Sequence, residues 1–177
     1  MSLTGATRFI GGTVLKFAPY GSGAALNIHG TVECDASDLS PIILTGRDDN
    51  LLGEVVDGST GTPVPFGYGG DYLRFDGTSP AVLKHLRVLY SGGYAVNFAN
   101  GSAQNEIWHS QVLHGFGLWA ENCSMRLRNV LFHDITALVE GLNFNTDIQH
   151  LTGHTFWWSF IYDAGANPGT FTMVNSI

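Results

Sequence analysis

Charge is scarce in this sequence. Only 13% of its 177 residues are Asp, Glu, Lys or Arg. Eight Lys and Arg stand against fifteen Asp and Glu, a formal net charge of −7. A chain so poor in cations lacks the basic face with which a nucleic-acid binder neutralises phosphates. Low charge together with 12% aromatic residues also argues against a disordered chain. There is no run of about 18 apolar residues, so no membrane-spanning helix is expected. Cysteine occurs twice, at Cys34 and Cys123, in neither a CxxC pair nor a zinc-ligand spacing. Whether the two are joined cannot be read from sequence. Helix periodicity is missing as well: no window of about twelve residues keeps apolar positions at i, i+3, i+4 and i+7.

What remains is glycine and short strands. Glycine fills 23 positions, roughly twice its usual share of about 7%. The length suits a single domain, 1–177, with enough chain to bury a core. Runs of β-branched and aromatic residues alternate with Gly, Asn, Asp and Ser, as at Thr13–Phe17 and Pro41–Thr45. Ala25–Cys34 alternates with period two and reads as one strand, with Leu26, Ile28, Val32 and Cys34 on one side.

The strands repeat. Leu83-Lys84-His85-Leu86-Arg87-Val88-Leu89-Tyr90 recurs from Ile107, from Leu127 and from Ile148, and begins again at Met173. The third position of each copy is polar: His85, His109, Asn129, His150 and Asn175, at steps of 24, 20, 21 and 25 residues. The first position is apolar every time. A second apolar piece follows each of four copies, at Gly93–Phe98, Gly115–Trp119, Ala137–Val139 and Phe156–Trp158. A period of 20–25 residues without helices describes an all-β solenoid, a single-stranded parallel β-helix of about 7–8 coils. The polar third position is expected to turn inward at a bend and bond the backbone of neighbouring coils.

These coils resemble those of right-handed parallel β-helix proteins, the pectate-lyase-like superfold. Residues 12–46 resemble the opening coils of large bacterial secreted or cell-surface β-helix proteins, and 81–177 continue the likeness. The resemblance implies right-handed winding and a secreted or cell-surface location. The chain begins Met1-Ser2-Leu3 with no secretory signal. It stops at Ile177 inside a strand pattern, so a longer protein, or a partner for the last strand, is expected. The superfold hosts lyases, hydrolases, adhesins and fibres alike.

Catalytic motifs are not matched. Polygalacturonase-like hydrolases of this fold combine clustered aspartates, a His-Gly and a basic pair. Here Asp48-Asp49, His114-Gly115 and Asn145-Thr146-Asp147 occur in the wrong order, with no Arg-x-Lys after them. Arg87 and Arg128 lack the aspartates that a lyase site would place beside them. No catalytic residue is assigned.

Two regions carry the remaining candidates. Residues 47–71 break the period and read as a long loop insertion, where function often resides. Asp48, Asp49, Glu54 and Asp57 can offer oxygens to Ca²⁺, although their spacing is not that of an EF-hand; solvated turns are the plainer reading. The repeat also predicts outward columns. Lys84, Trp108, Arg128 and Gln149 form one, a possible glycan-binding strip through Lys84, Trp108 and Arg128. Arg87, Gln111, Leu131 and Thr152 form the next, and Leu89, Leu113, His133 and His154 a third. The histidines of the polar ladder are read as structural, and Trp119, Trp157 and Trp158 as turn or core stacks. The expected function is a non-catalytic structural or adhesive module that joins end to end with itself or with other parts of a longer chain. A carbohydrate-binding or carbohydrate-active β-helix is the alternative.

Overall fold

The computed structural model describes residues 1–77, 79–99, 101, 103–167 and 169–177. Among them there is no helix; the chain winds into a parallel β-solenoid of about eight coils with a period of roughly 22 residues. Every strand-to-strand pairing between named strands is parallel.

Each coil has three faces. The first carries β2 (Thr7–Ile10), β5 (Val32–Asp35) and β8 (Val82–Lys84). The second carries β3 (Val14–Phe17), β6 (Ile42–Gly46) and β9 (Leu86–Leu89). The third carries β1 (Ser2–Leu3), β4 (Leu26–Ile28), β7 (Leu73–Phe75) and β10 (Tyr94–Phe98). Further on, the chain runs through all three faces almost without interruption in β11 (Gln104–Glu121), β12 (Ser124–Leu142) and β13 (Asn145–Asp163). The final β14 (Phe171–Val174) returns to the first face and pairs with Thr146–Gln149.

The residues at the repeat's third position fall in register. Trp108 pairs with Lys84 and Arg128, and Arg128 with Gln149, so the next residues fall in line. The His85 and His109 rings stack at 5.3 Å, and Asn129 Nδ2 donates to His109 Nδ1 at 2.9 Å. All five ladder residues have positive φ, between 50° and 55°. The left-handed region turns a strand sharply, and Asn and His enter it more readily than most residues. A second corner repeats the device at Tyr90, His114, Asp134 and Thr155, and a third at Asn122 and Asn143.

The direction of the ladder differs from expectation. His109, Asn129, His150 and Asn175 face solvent rather than the interior. A left-handed residue kinks the chain so that its own side chain points off the corner. The inward polar role falls to other residues. Buried Asn105 accepts from Ala81 N at 3.0 Å, and Ser110 Oγ accepts from Leu86 N at 3.1 Å. Ser176 Oγ does the same for Leu151 N at 3.1 Å.

Two further readings are corrected. Ala25–Cys34 is not one strand but β4 and β5, on different faces, with Gly30 between them. A Cβ on Gly30 would meet the Gly5 backbone of the preceding coil, so only glycine allows the coils to approach there. Phe156–Trp158 is not the counterpart of Ala137–Val139; Ile161 pairs with Val139. The coil widens at this corner. Gly115 and Leu118 oppose Ile135 and Val139, and these oppose Phe156 and Ile161. One residue is added in each successive coil, which is a β-bulge by definition.

Between the faces the core is a set of apolar columns. Leu83, Ile107, Leu127 and Ile148 are stacked at 0–2% exposure, and Leu44, Val88, Val112 and Phe132 form a second column. Burying each such side chain stabilises by about 1.5–3 kcal/mol relative to exposing it. Phe75 stacks on Phe98 at 5.4 Å, and Phe17 on Tyr72 at 3.9 Å, extending the core toward the first coils.

Candidate functional site

The first face bears the strip predicted from the repeat. Lys84 Nζ lies 4.7 Å above the centre of the Trp108 ring. Arg128 donates to Gln149 Oε1 and lies 3.5 Å from Asp147 Oδ2, so an aspartate does stand beside Arg128, contrary to the expectation from sequence. The structure thus brings Lys84, Trp108 and Arg128 into one column. Each cation already has a partner in an adjacent coil. The Trp108 indole N–H is buried and has no hydrogen-bond partner among the described residues. Two residues earlier runs a column that the sequence reading missed: Glu106, Arg126 and Asp147. Arg126 donates to Glu106 at 3.0 Å and stands 3.4 Å from Asp147. The alternation of charge sign at steps of 20 and 21 residues was the signal for it.

The insertion, 47–71, is anchored by its own carboxylates. Asp48 accepts from Thr60 N at 2.7 Å and from the Tyr68 hydroxyl at 3.0 Å. These bonds, the Thr60 amide first, hold the Asp48 carboxyl below its usual range. Asp49 accepts from Thr45 Oγ1 at 2.8 Å and from Leu51 N at 3.1 Å. Both aspartates are buried, while Glu54 and Asp57 are exposed, so the four carboxylates do not share one environment. Among the described residues, no group of three or more His, Cys, Asp or Glu is placed to hold a metal ion. The second half of the loop rejoins the solenoid at its second corner. Phe66 N donates to His114 O at 3.0 Å, and Tyr68 N to Tyr90 O at 3.2 Å.

The second corner gathers the richest chemistry. Tyr90 stacks on His114 at 5.6 Å, His114 meets His133 edge-on at 5.4 Å, and His133 stacks on His154 at 5.0 Å. His114 Nδ1 is 2.9 Å from Asp134 Oδ2, and Trp157 Nε1 donates to Asp134 Oδ1 at 2.6 Å. These two hydrogen bonds, with His114 the larger influence, lower the Asp134 pKa. Widening of the coil leaves Trp157 and Trp158 each 68% exposed, and Trp158 leans on Tyr162 at 5.6 Å. Of the expected turn or core stacks, the core placement does not hold for Trp157 and Trp158. Trp119 is half-buried, at 5.2 Å from Tyr94.

On the third face Asn97, Trp119 and Glu140 are successive ladder partners. Glu140 is 5% exposed, and its Oε1 has no hydrogen bond. Its Oε2 accepts from the Tyr94 hydroxyl. Burial, then the adjacent Glu140, pushes the Tyr94 hydroxyl far above its ordinary pKa. Asp71 clamps this edge, accepting from Tyr94 N at 3.1 Å and Asn97 Nδ2 at 2.6 Å. Cys34 and Cys123 are both free thiols. Burial raises the Cys123 pKa to about 11, which leaves it an unreactive apolar filler.

Compared with known proteins, the chain matches no family model, no curated protein and no solved structure.

Proposed function

We propose that this chain is a non-catalytic structural or adhesive module of a pectate-lyase-like β-helix protein, acting outside the cell or at its surface. One observation carries the reading. The outward polar columns are spent on one another: Glu106–Arg126–Asp147, Arg128–Gln149, Lys84–Trp108 and Arg87–Gln111 all bridge adjacent coils. Such ladders stiffen a rod and leave few polar groups for a reaction. The ends support joining with further coils. Phe171, Met173 and Val174 are each 45% exposed at one end, and Leu3, Phe9, Leu15 and Phe17 line an apolar hollow at the other. Unpaired strand edges with apolar flanks are templates for continuing a sheet, by the same polypeptide or by a second one.

The test is twofold. The chain is incubated with pectin, polygalacturonate and neutral polysaccharides, and product ends are assayed; no cleavage is expected, and release of reducing or unsaturated ends overturns the non-catalytic reading. Sedimentation velocity over rising concentration is expected to show self-association that Val174→Lys weakens. A concentration-independent monomer would remove the joining of ends between separate chains.

A second reading is favoured by the two exposed tryptophans. Trp158 against Tyr162 offers an exposed aromatic pair, and the neighbouring Trp157 is equally exposed, surfaces suited to a neutral glycan. Glycan binding lost in Trp158→Ala would establish it.

A further inference from the structure

His133 and His154 are ladder partners on consecutive coils, and their rings stack at 5.0 Å with 27° between planes. Their Nδ1 atoms approach to 3.1 Å. Thr155 Oγ1 lies 2.8 Å from the same His154 nitrogen. An imidazole nitrogen has one in-plane position, which holds either a proton or a lone pair. A single N–H···N bond between the rings accounts for one of these contacts and leaves the hydroxyl competing for the same lobe. Three donor atoms crowded in this way match the ligand shell of one small ion. Two nitrogens bound tetrahedrally at about 2.0–2.1 Å stand about 3.4 Å apart, close to the observed separation.

The surroundings agree. His133 is half-buried, while His154 and Thr155 are exposed, so solvent can complete the shell. Asp134, bonded to His114 and Trp157, places a carboxylate at the same corner. Its negative charge favours a cation nearby.

We propose that His133 Nδ1 and His154 Nδ1, with the Thr155 hydroxyl and water, bind one divalent first-row transition ion that clips two coils together. Imidazole nitrogen selects Cu²⁺, Ni²⁺ and Zn²⁺ over Ca²⁺ and Mg²⁺. With two protein nitrogens the site is open, and Cu²⁺ binds more tightly than Zn²⁺. The site shares the corner of Asp134 with Trp157 and does not depend on the proposed structural role.

The test is calorimetric titration of the untagged full chain with CuCl₂ and ZnCl₂, with thermal unfolding followed in parallel. One ion per chain is expected, with a higher Tm in its presence, because a ligand of the folded state alone stabilises it. His133→Ala and His154→Ala are each expected to weaken binding by at least about tenfold, as loss of one of two anchoring ligands should. His85→Ala and His109→Ala are expected to leave it unchanged. His154→Gln repeats the test with a side chain of similar reach, should the alanine variant unfold. Cu²⁺ broadening of the His133 and His154 ring resonances in the wild-type chain gives a readout without any mutation. No binding at millimolar metal, or binding that ignores both His133 and His154, overturns the proposal.

Discussion

The Tyr94 hydroxyl reaches across an entire intervening coil to donate a hydrogen bond of 2.8 Å to Glu140. Tyr94 belongs to β10 and Glu140 to β12, with Trp119 of β11 between their ladders. The bond ties three coils together and gives a buried carboxylate its one hydrogen-bond partner among the described residues.

Removing that partner isolates a buried acceptor. Tyr94→Phe is expected to destabilise the fold by about 1–3 kcal/mol, the penalty for an unsatisfied buried polar group. Tyr94→Phe combined with Glu140→Leu should recover part of the loss, since both polar groups then disappear together. Urea denaturation of the single and double variants measures it; equal stability of wild type and Tyr94→Phe would show that the bond contributes nothing.

The corners predict a sharp split between substitutions at one position. His150 is exposed at φ 55°. His150→Val forces a β-branched residue into the left-handed region and should cost about 1–2 kcal/mol. His150→Asn should be close to neutral. Thermal melts of both variants distinguish this from a surface position where either change would be harmless.

Close packing between coils singles out Gly141. A Cβ there would strike the Ala120 carbonyl of the neighbouring coil, a backbone group that cannot swing aside. Gly141→Ala should therefore destabilise by about 1–3 kcal/mol. Gly5→Ala meets nothing within 4 Å and should stay within about 0.5 kcal/mol of wild type. Chemical denaturation of the pair checks the contrast.

Acid stability follows from three carboxylates. Asp48 and Asp134 are held low by hydrogen bonds, from Thr60 N and from His114 respectively. For Asp163, burial pushes the pKa up, but the amides of Gly169, Gly165, Asn143 and Phe144 outweigh it, and the net shift is downward. A carboxyl with a lowered folded pKa adds stability in full above its unfolded value of about 3.9 and loses it as pH falls through the folded value. Tm is thus expected to be insensitive to these groups above about pH 5 and to drop below about pH 4. Asp163→Asn should lower Tm at neutral pH and flatten the acid limb. A profile of the same steepness in wild type and variant would refute it.

The sequence displayed the repeat because ladder positions demand side chains that tolerate one backbone conformation. His85, His109, Asn129, His150 and Asn175 share that demand, so they recur visibly. Their orientation was not legible, because outward and inward polar residues share the same residue types. The break inside Ala25–Cys34 was hidden by parity: the alternation runs through Gly30 even though the chain turns there. The widening before Ile161 shifts register by one residue per coil, which a fixed template cannot follow. The charged column of Glu106, Arg126 and Asp147 was visible in principle at the same steps as its neighbour. The burial of Asp48 and Asp49 was not, since it depends on Tyr68 and Thr60 folding back from within the loop.

Ile107, Leu127 and Ile148 occupy the same place in three consecutive coils. In this column each coil sets one such residue against another of nearly the same size. The first face is therefore graduated like a measuring rod, advancing about 4.8 Å per turn, while the widening second corner gives each turn its own place in the stack.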